Sequence, residues 1–463
     1  VAREMKHMKT LGNDESVYAP TPPADSLKLM MSLCTRPPDC VKVRRTLGFL
    51  DISRAYFWAQ ISRLVLIELP EQHPLHSTHY GRLLKSMYGL RTAAKEWDSE
   101  VARVMCLLGF VRGKSSPCMY EHADRQISVS VHGDDFTCLG SVEMIKWLHQ
   151  GLAKHWTVKN RGILGENGCH EIDILNRILR RLPDGSLELE ADPRHAELVS
   201  QFLGFNEKTK SLASPGGKKS EEDIIKEVRE EVPLDKEKHS LFRSICMRLS
   251  YLSADRPDLS FAVKELARRM HAPTNHDWYH LKTVGRYLLG CPRAVLCFPV
   301  GRFSGCVTVE TDSDFAGCRS TRKSSSGGAV FLSGHLIKHW SSTQKVISLS
   351  SGESEFYALV KGDCAGLGLK ALAADIGVDL EVDIAVDASA GKSLAERQGH
   401  GKSRHIAPQF LWVPSALSSR KLRRVIKIST TKNRSDLCTK HLPRPQALEL
   451  LKKMNFEFRV GNS

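Results

Sequence analysis

SVSVHGDDFTCLG, residues 128–140, sets a paired carboxylate, Asp134 and Asp135, between two runs of small and β-branched residues. The pattern predicts two strands joined by a tight turn, because Gly and Asp tolerate turn geometry and Asp hydrogen-bonds its own backbone. Taken alone, the pair needs no role beyond that turn. A third acid changes the question. Asp51 closes the apolar run GFLD (48–51), and an ionised carboxylate at the end of a buried strand is costly unless it is paired or metal-bound. Acids on neighbouring strands suit Mg²⁺, which takes a few protein oxygens and leaves its other positions to water or phosphate. Two such ions would serve in-line displacement at phosphorus.

Working outward, 463 residues predict two or three domains, and 41% hydrophobic with 26% charged residues is a globular balance. No apolar run approaches the roughly 20 residues a membrane span needs, and no signal-peptide pattern opens the chain. The net charge of +15 points to a polyanionic partner, since neutralised phosphates release condensed counterions. The 13 cysteines follow no C-x-x-C framework and read as reduced, partly buried thiols of an intracellular protein. The chain opens on Val1 inside basic-apolar text and reads as a piece of a longer protein.

Periodicity predicts a helix at SLKLMMSLC (26–34) and a strand within TLGFLDISRAYFWAQI (46–61). A further helix, carrying Trp97, Val101, Val104 and Leu108 on one face, should end at Gly109. Beyond a strand–turn–strand–helix unit at 170–205, the charged, Gly/Pro-edged text from 215 to 239 reads as a linker. Residues 239–290 are helical in pattern, and from 305 onward an α/β unit begins.

LDISRAYFWA (50–59), LLKSMYGLRTAAKEW (83–97) and VSVHGDDFTCLG (129–140) resemble, in order, the three palm motifs of copia-type retrotransposon reverse transcriptases. FRSICMRLSYLSADRPDLSFAVKELARRM (242–270) is similar to the connection that follows them in that family. The resemblance implies metal-ligand and catalytic roles for Asp51, Asp134 and Asp135. It implies an aromatic under the deoxynucleotide sugar at Tyr56, and template or nucleotide phosphate contacts at Arg91 and Lys95. Thr92 stands where the family has Gln, and HG replaces its YV before the paired acids.

A second acidic constellation lies downstream. Asp312 ends the alternating strand GCVTVETD (305–312), and Asp387 ends DIAVD (383–387). Ser350 and Glu353 fit a helix capping box, which gives Glu353 a structural role. Glu355 is left on the helix face shared with Leu359 and Gly362, turned toward the sheet. These stretches resemble the RNase H domain of the same family, which implies metal and catalytic roles for Asp312, Glu355 and Asp387, with Asp314 and Glu353 structural. The family's KHID reads RHIA here, so Ala407 replaces an acid and a weakened second ion is expected. The basic run from 401 to 435, with nine Lys/Arg and no acid, is a candidate hybrid-binding surface. NRSDLCTKHLP (433–443) resembles the family's closing segment.

The resulting expectation is an α+β right-hand palm and fingers, then a helical connection, then an α/β RNase H-like domain. The expected boundaries are 1–215, 216–303 and 304–440, with a tail at 441–463. The implied chemistry is RNA- and DNA-templated DNA synthesis plus cleavage of RNA in RNA–DNA hybrids. It would use Mg²⁺ or Mn²⁺, an RNA template, a DNA primer and deoxynucleoside triphosphates. The competing expectation, raised by Thr92 and Ala407, is a catalytically impaired nucleic-acid-binding remnant of such an element.

Overall fold

Strand β1 (Thr46–Ile52) carries Asp51 and is buried along nearly its whole length. It sits inside a six-stranded antiparallel sheet in a computed structural model that describes residues 17–36, 44–217, 230–318, 320–397, 406 and 411–459. The chain divides into two units, the first running to His170 and including Ala371–Asp379, the second otherwise running from Glu171. The expected boundary at residue 215 therefore moves to 170.

In the first unit, α1 (Asp25–Cys34) precedes β1, and a short hairpin of β2 (Leu66–Glu68) and β3 (Tyr80–Arg82) follows it. After α2 (Ala93–Leu107) come β4 (Val111–Arg112), β5 (Met119–His122), β6 (Ile127–His132) and β7 (Asp135–Gly140). Then α3 (Val142–Ala153) leads to β8 (Val158–Ile163). The sheet order is β4-β5-β6-β7-β1-β8, so β1 lies between β7 and β8. The helical spacing read in the sequence is realised: Trp97, Val101 and Val104 of α2 and Ile145, Leu148 and Leu152 of α3 are buried with Leu50, Phe136 and Cys138 of the sheet. Each such side chain contributes about 1.5–3 kcal/mol on leaving water, enough to fix which face of β1 and β7 turns inward.

The second unit holds two sheets. Strands β9 (Glu171–Ile174), β10 (Arg177–Arg181) and β11 (Leu187–Ala191) pair onward with β12 (Arg293–Phe298) and β18 (Phe456–Arg459) in the order β18-β12-β11-β10-β9. Helices α4 (Arg194–Phe202), α5 (Lys236–Ser253), α6 (Pro257–Ala267) and α7 (Asn275–Gly290) build a core around Phe242, Leu249, Leu259 and Leu281. The expected tail at 441–463 is accordingly redrawn, because α11 (Arg444–Lys453) delivers β18 as the edge strand of this sheet. Residues 218–229 of the expected linker lie outside the described residues. The RPD text of the connection is an internal ion pair: Arg256 is fully buried, donates to both oxygens of Asp258 at 2.9 and 2.7 Å, and shares Asp258 with the Tyr287 hydroxyl at 2.8 Å.

The second sheet of this unit has the order β15-β14-β13-β16-β17, from β13 (Cys306–Asp314), β14 (Ser325–Leu332), β15 (His335–Thr343), β16 (Glu381–Val386) and β17 (Arg424–Lys427). The first three strands run antiparallel, whereas β13, β16 and β17 run parallel. Helix α8 (Ser351–Ala374) crosses between β15 and β16; α9 (Ser389–Glu396) and α10 (Val413–Ser418) follow β16. At Gly362 a Cβ would come within 2.4 Å of Thr311 on β13, so only glycine lets α8 lie this close to the strand.

Within α8, Asp363 is completely buried and neither carboxylate oxygen has a hydrogen-bond partner. Burial alone pushes its pKa well above the ordinary value, so the folded state holds a proton that the unfolded chain releases. Such a group costs stability increasingly as pH rises above the unfolded value. Asp363→Ala is expected to stabilise the fold by about 1–3 kcal/mol at pH 8 and by less at pH 5. Urea unfolding at the two pH values measures this, and a variant that is less stable at pH 8 refutes it.

Candidate active sites

In the first unit, sheet register brings the acids of the opening motif together. Asp51 lies opposite Asp135 on β7 and, on its other side, opposite Lys159 on β8. His132 pairs with Asp135, leaving Gly133 and Asp134 as a two-residue loop between β6 and β7. Gly133 takes φ +64°, the arrangement of a II′ hairpin turn whose first loop residue is glycine. This accounts for the glycine ahead of the paired acids. The Trp97 indole donates to the Gly133 carbonyl at 2.8 Å, and Ile52 N–H donates to the Asp134 carbonyl at 2.9 Å. The turn is thus tied both to α2 and to the strand bearing Asp51.

Asp51 and Asp134 open onto a cleft of ≈ 800 Å³ that Arg54, Phe57, Trp58 and Lys159 also line. Among the described residues, that lining includes neither Tyr56, Arg91 nor Lys95. Tyr56 is half-buried and packs against Tyr88 of the YGL turn, ring centroids 4.6 Å apart. Arg91 precedes α2 and is half-buried, and Lys95 is exposed on the helix. Burial pushes the Tyr88 hydroxyl up, and Asp134, Tyr56 and Asp51 add to it.

Two cations face the acids. Lys159 Nζ lies 3.9 Å from Asp51, and Arg161 donates to Asp135 at 3.2 Å. Burial pushes the Asp135 carboxyl up, Arg161 opposes that, and Asp134 and Asp51 push it further. Three acids repelling one another beside a roomy cleft, with only oxygen donors, fit a hard divalent cation.

In the second unit, β13 and β16 are parallel neighbours, so Asp312 near the end of one and Asp387 just past the end of the other lie at the same edge of the sheet. Glu355 reaches them from the first turns of α8. One oxygen from each of Asp312, Glu355 and Asp387 lies within 4.8 Å of the others. Burial, then Asp312 and Asp387, push Glu355 up to about 8, and its Oε2 has no hydrogen-bond partner. Burial, then Asp436, likewise push Asp312 up. With an orphaned oxygen on Glu355 and raised carboxyls on Glu355 and Asp312, this all-oxygen donor set fits a hard divalent ion. Glu353 is tied into the start of α8. It receives the Tyr357 hydroxyl at 2.6 Å and Leu349 N–H at 3.0 Å, while the Ser350 hydroxyl accepts Glu353 N–H at 3.2 Å. Asp314 accepts Ser325 N–H.

Sequence reasoning missed Asp436. Ala407, where the sequence motif would place a fourth acid, lies outside the described residues. The fourth carboxyl beside Asp312 comes instead from the short 3₁₀ turn Arg434–Cys438. That turn is clamped to β13: Arg434 pairs with Glu310 at 2.7 Å, and Asn433 donates to the Thr311 carbonyl at 3.0 Å. The Thr439 hydroxyl then bonds Asp312, and Lys440 Nζ sits 2.9 Å from Asp436 and 3.9 Å from Asp312. The signal was present in NRSDLCTKHLP, a lone acid in a segment otherwise rich in polar donors. Of the expected hybrid-binding run, residues 401–405 and 407–410 lie outside the described residues; within the rest, Arg423 and Arg424 pair with Asp383, and Arg434 with Glu310.

Residues 1–174 match the family described as reverse transcriptase (RNA-dependent DNA polymerase). Over 98% of its length the chain is 25% identical to the retrovirus-related Pol polyprotein from transposon TNT 1-94 of Nicotiana tabacum. Over 89% it is 27% identical to that from transposon RE2 of Arabidopsis thaliana. It spans about a third or less of those relatives, 33% and 27% of their lengths. A solved foamy viral protease-reverse transcriptase in complex with RNA/DNA hybrid is similar at 9% identity and TM-score 0.48, over 86% of this chain and 45% of that one. Among the described residues no helix is long and apolar enough to cross a membrane.

Proposed function

We propose that the chain is the reverse-transcriptase and RNase H part of a copia-type retrotransposon Pol polyprotein, which its similarity to such polyproteins supports, and that it copies RNA and DNA templates into DNA and cleaves the RNA strand of hybrids. One observation carries the reading: a hairpin-turn acid pair registered against Asp51 in one unit accompanies a converged acid cluster in the other. Polymerisation and hybrid cleavage are both phosphoryl transfers, and each needs such a cluster.

In this reading Asp51, Asp134 and Asp135 hold ions in the first site, and Asp312, Glu355, Asp387 and Asp436 hold them in the second. Mg²⁺ or Mn²⁺ bound there would activate the attacking oxygen and neutralise charge on the leaving group. The chain itself supplies placement. The Trp97–Gly133 bond fixes the height of the acid turn. Tyr56, braced by Tyr88, stands below the sugar of an incoming deoxynucleoside triphosphate, while Arg91 and Lys95 meet template or nucleotide phosphates. In the second unit the Thr439 hydroxyl orients Asp312, and Glu355 is held on a helix pinned to the sheet at Gly362. The partners are then an RNA template, a DNA primer and an RNA–DNA hybrid.

Primer extension on an RNA template and cleavage of a labelled hybrid, each with Mg²⁺, test the two halves separately. Both activities are expected, and both should disappear with EDTA. Tight, salt-sensitive nucleic-acid binding without either activity would instead identify a catalytically silent remnant.

A further inference from the structure

Strand β8 departs from regular pairing at one point. Leu50 lies opposite Asn160 and Phe49 opposite Gly162, so Arg161 is an extra residue with no ladder partner on β1. Such bulges redirect side chains and are common beside active sites. Here the guanidinium reaches across β1 to Asp135 on β7 at 3.2 Å. Two residues earlier, Lys159 stands opposite Asp51 with its ammonium 3.9 Å away. Both cations keep solvent contact, with 42% and 70% of their side chains exposed. Among the described residues, the acids that converge within 4.8 Å include those of the second site but not Asp51, Asp134 and Asp135 as a group. In the first site the two cations of β8 thus stand beside Asp51 and Asp135.

A pair of exposed cations has little reason to be aimed at acids that a metal must occupy, unless the pairs are meant to break. A guanidinium and a divalent ion compete for the same carboxylate lone pairs. A guanidinium released next to a cleft open to polynucleotide is well shaped for a phosphate oxygen. We propose that Arg161, with Lys159, is a positioning residue that holds the acids until divalent ions arrive and then transfers to a backbone phosphate of the bound primer strand. Ion loading and primer binding are thereby linked: each ion that takes Asp135 or Asp51 frees a cation for the nucleic acid. This rests on the polymerase reading of the first site, but its test does not use polymerisation.

The full chain carrying Asp312→Asn, which disables the second site, serves as background, and Arg161→Gln and Lys159→Gln are added singly. Mn²⁺ binding is read by the loss of its free-ion electron paramagnetic resonance signal. Duplex binding is read by fluorescence anisotropy of a labelled primer–template over a salt series, with Ca²⁺ in place of Mg²⁺. Without nucleic acid, Arg161→Gln should bind Mn²⁺ roughly tenfold more tightly, because a competing charge is gone. With Ca²⁺ present it should bind primer–template more weakly, its log–log salt slope shallower by about one contact. Arg161→Lys should restore the duplex affinity. A residue that merely braces the strand would shift neither the ion affinity upward nor the salt slope. Mn²⁺ affinity that is unchanged or weaker in both Gln variants overturns the proposal, even if the wild type extends primers. Tightened Mn²⁺ binding with weakened duplex binding supports it, even in a chain that extends none.

Discussion

Asp134→Asn is expected to reduce primer extension roughly a thousandfold or more while leaving hybrid cleavage within a factor of about two. The substitution keeps volume and removes one negative charge from the loop position that faces the cleft. The fold has little reason to object. Asp134 is held through its backbone carbonyl, which accepts from Ile52, and that bond survives the change. The glycine that sets the turn is untouched. What changes is the charge available to a divalent ion at a site whose other acids, Asp51 and Asp135, already have cations beside them. Extension and cleavage measured on one preparation of each variant make the comparison. If the Asn variant extends primers within tenfold of the parent, Asp134 is not a ligand and the polymerase assignment fails at its centre.

Glu355→Gln should abolish hybrid cleavage by a comparable factor and, unusually for an active-site change, stabilise the metal-free protein. The carboxyl is pushed up to about 8 by burial and by Asp312 and Asp387. Between the ordinary value of 4.5 and about 8, the folded state therefore holds a proton that the unfolded chain has released. Its contribution to stability is fully present at low pH and declines as pH rises through that window. With glutamine in place the decline at this position vanishes, and the variant should be more stable than the parent by about 2–3 kcal/mol at pH 8, with little difference at pH 5. Mg²⁺ should raise the melting temperature of the parent at pH 8 by more than that of the variant, because metal binding releases the same protons. Cleavage by the variant within tenfold of the parent removes Glu355 from the site. Equal stabilities at pH 8 would mean that its carboxyl is not held protonated.

The parts of both sites that could be read from the sequence are those whose geometry is local. A strand ending in Asp51, a Gly-Asp-Asp turn and a capped helix bearing Glu355 each announce themselves within a few residues, through period-2 alternation, turn chemistry and i,i+4 spacing. The parts that could not be read depend on pairings across long separations. Asp436 reaches Asp312 only because Arg434 finds Glu310, 124 positions away. Strand β18 looks like a charged tail until β12 accepts it. The boundary near 170 was hidden for the same reason: β9 to β11 look locally like more of the preceding sheet, and their true partner β12 lies about a hundred residues on. The bulge at Arg161 has no composition of its own, since it exists only as a mismatch of register with β1.

The clamp of residues 433–440 onto β13 also sets a sequence in time. Asp312, Glu355 and Asp387 emerge during synthesis well before the segment that carries Asp436 and Thr439, and the Thr439–Asp312 bond spans 127 positions. Contacts of such separation form late, after the loops between them have closed. Lys440, which lies beside Asp312 and Asp436 in the finished fold, arrives with that same late segment. In the finished fold burial pushes the Asp312 and Glu355 carboxyls up, and Lys440 opposes that at Asp312. Arming of that site is thus a late event in the biogenesis of the chain.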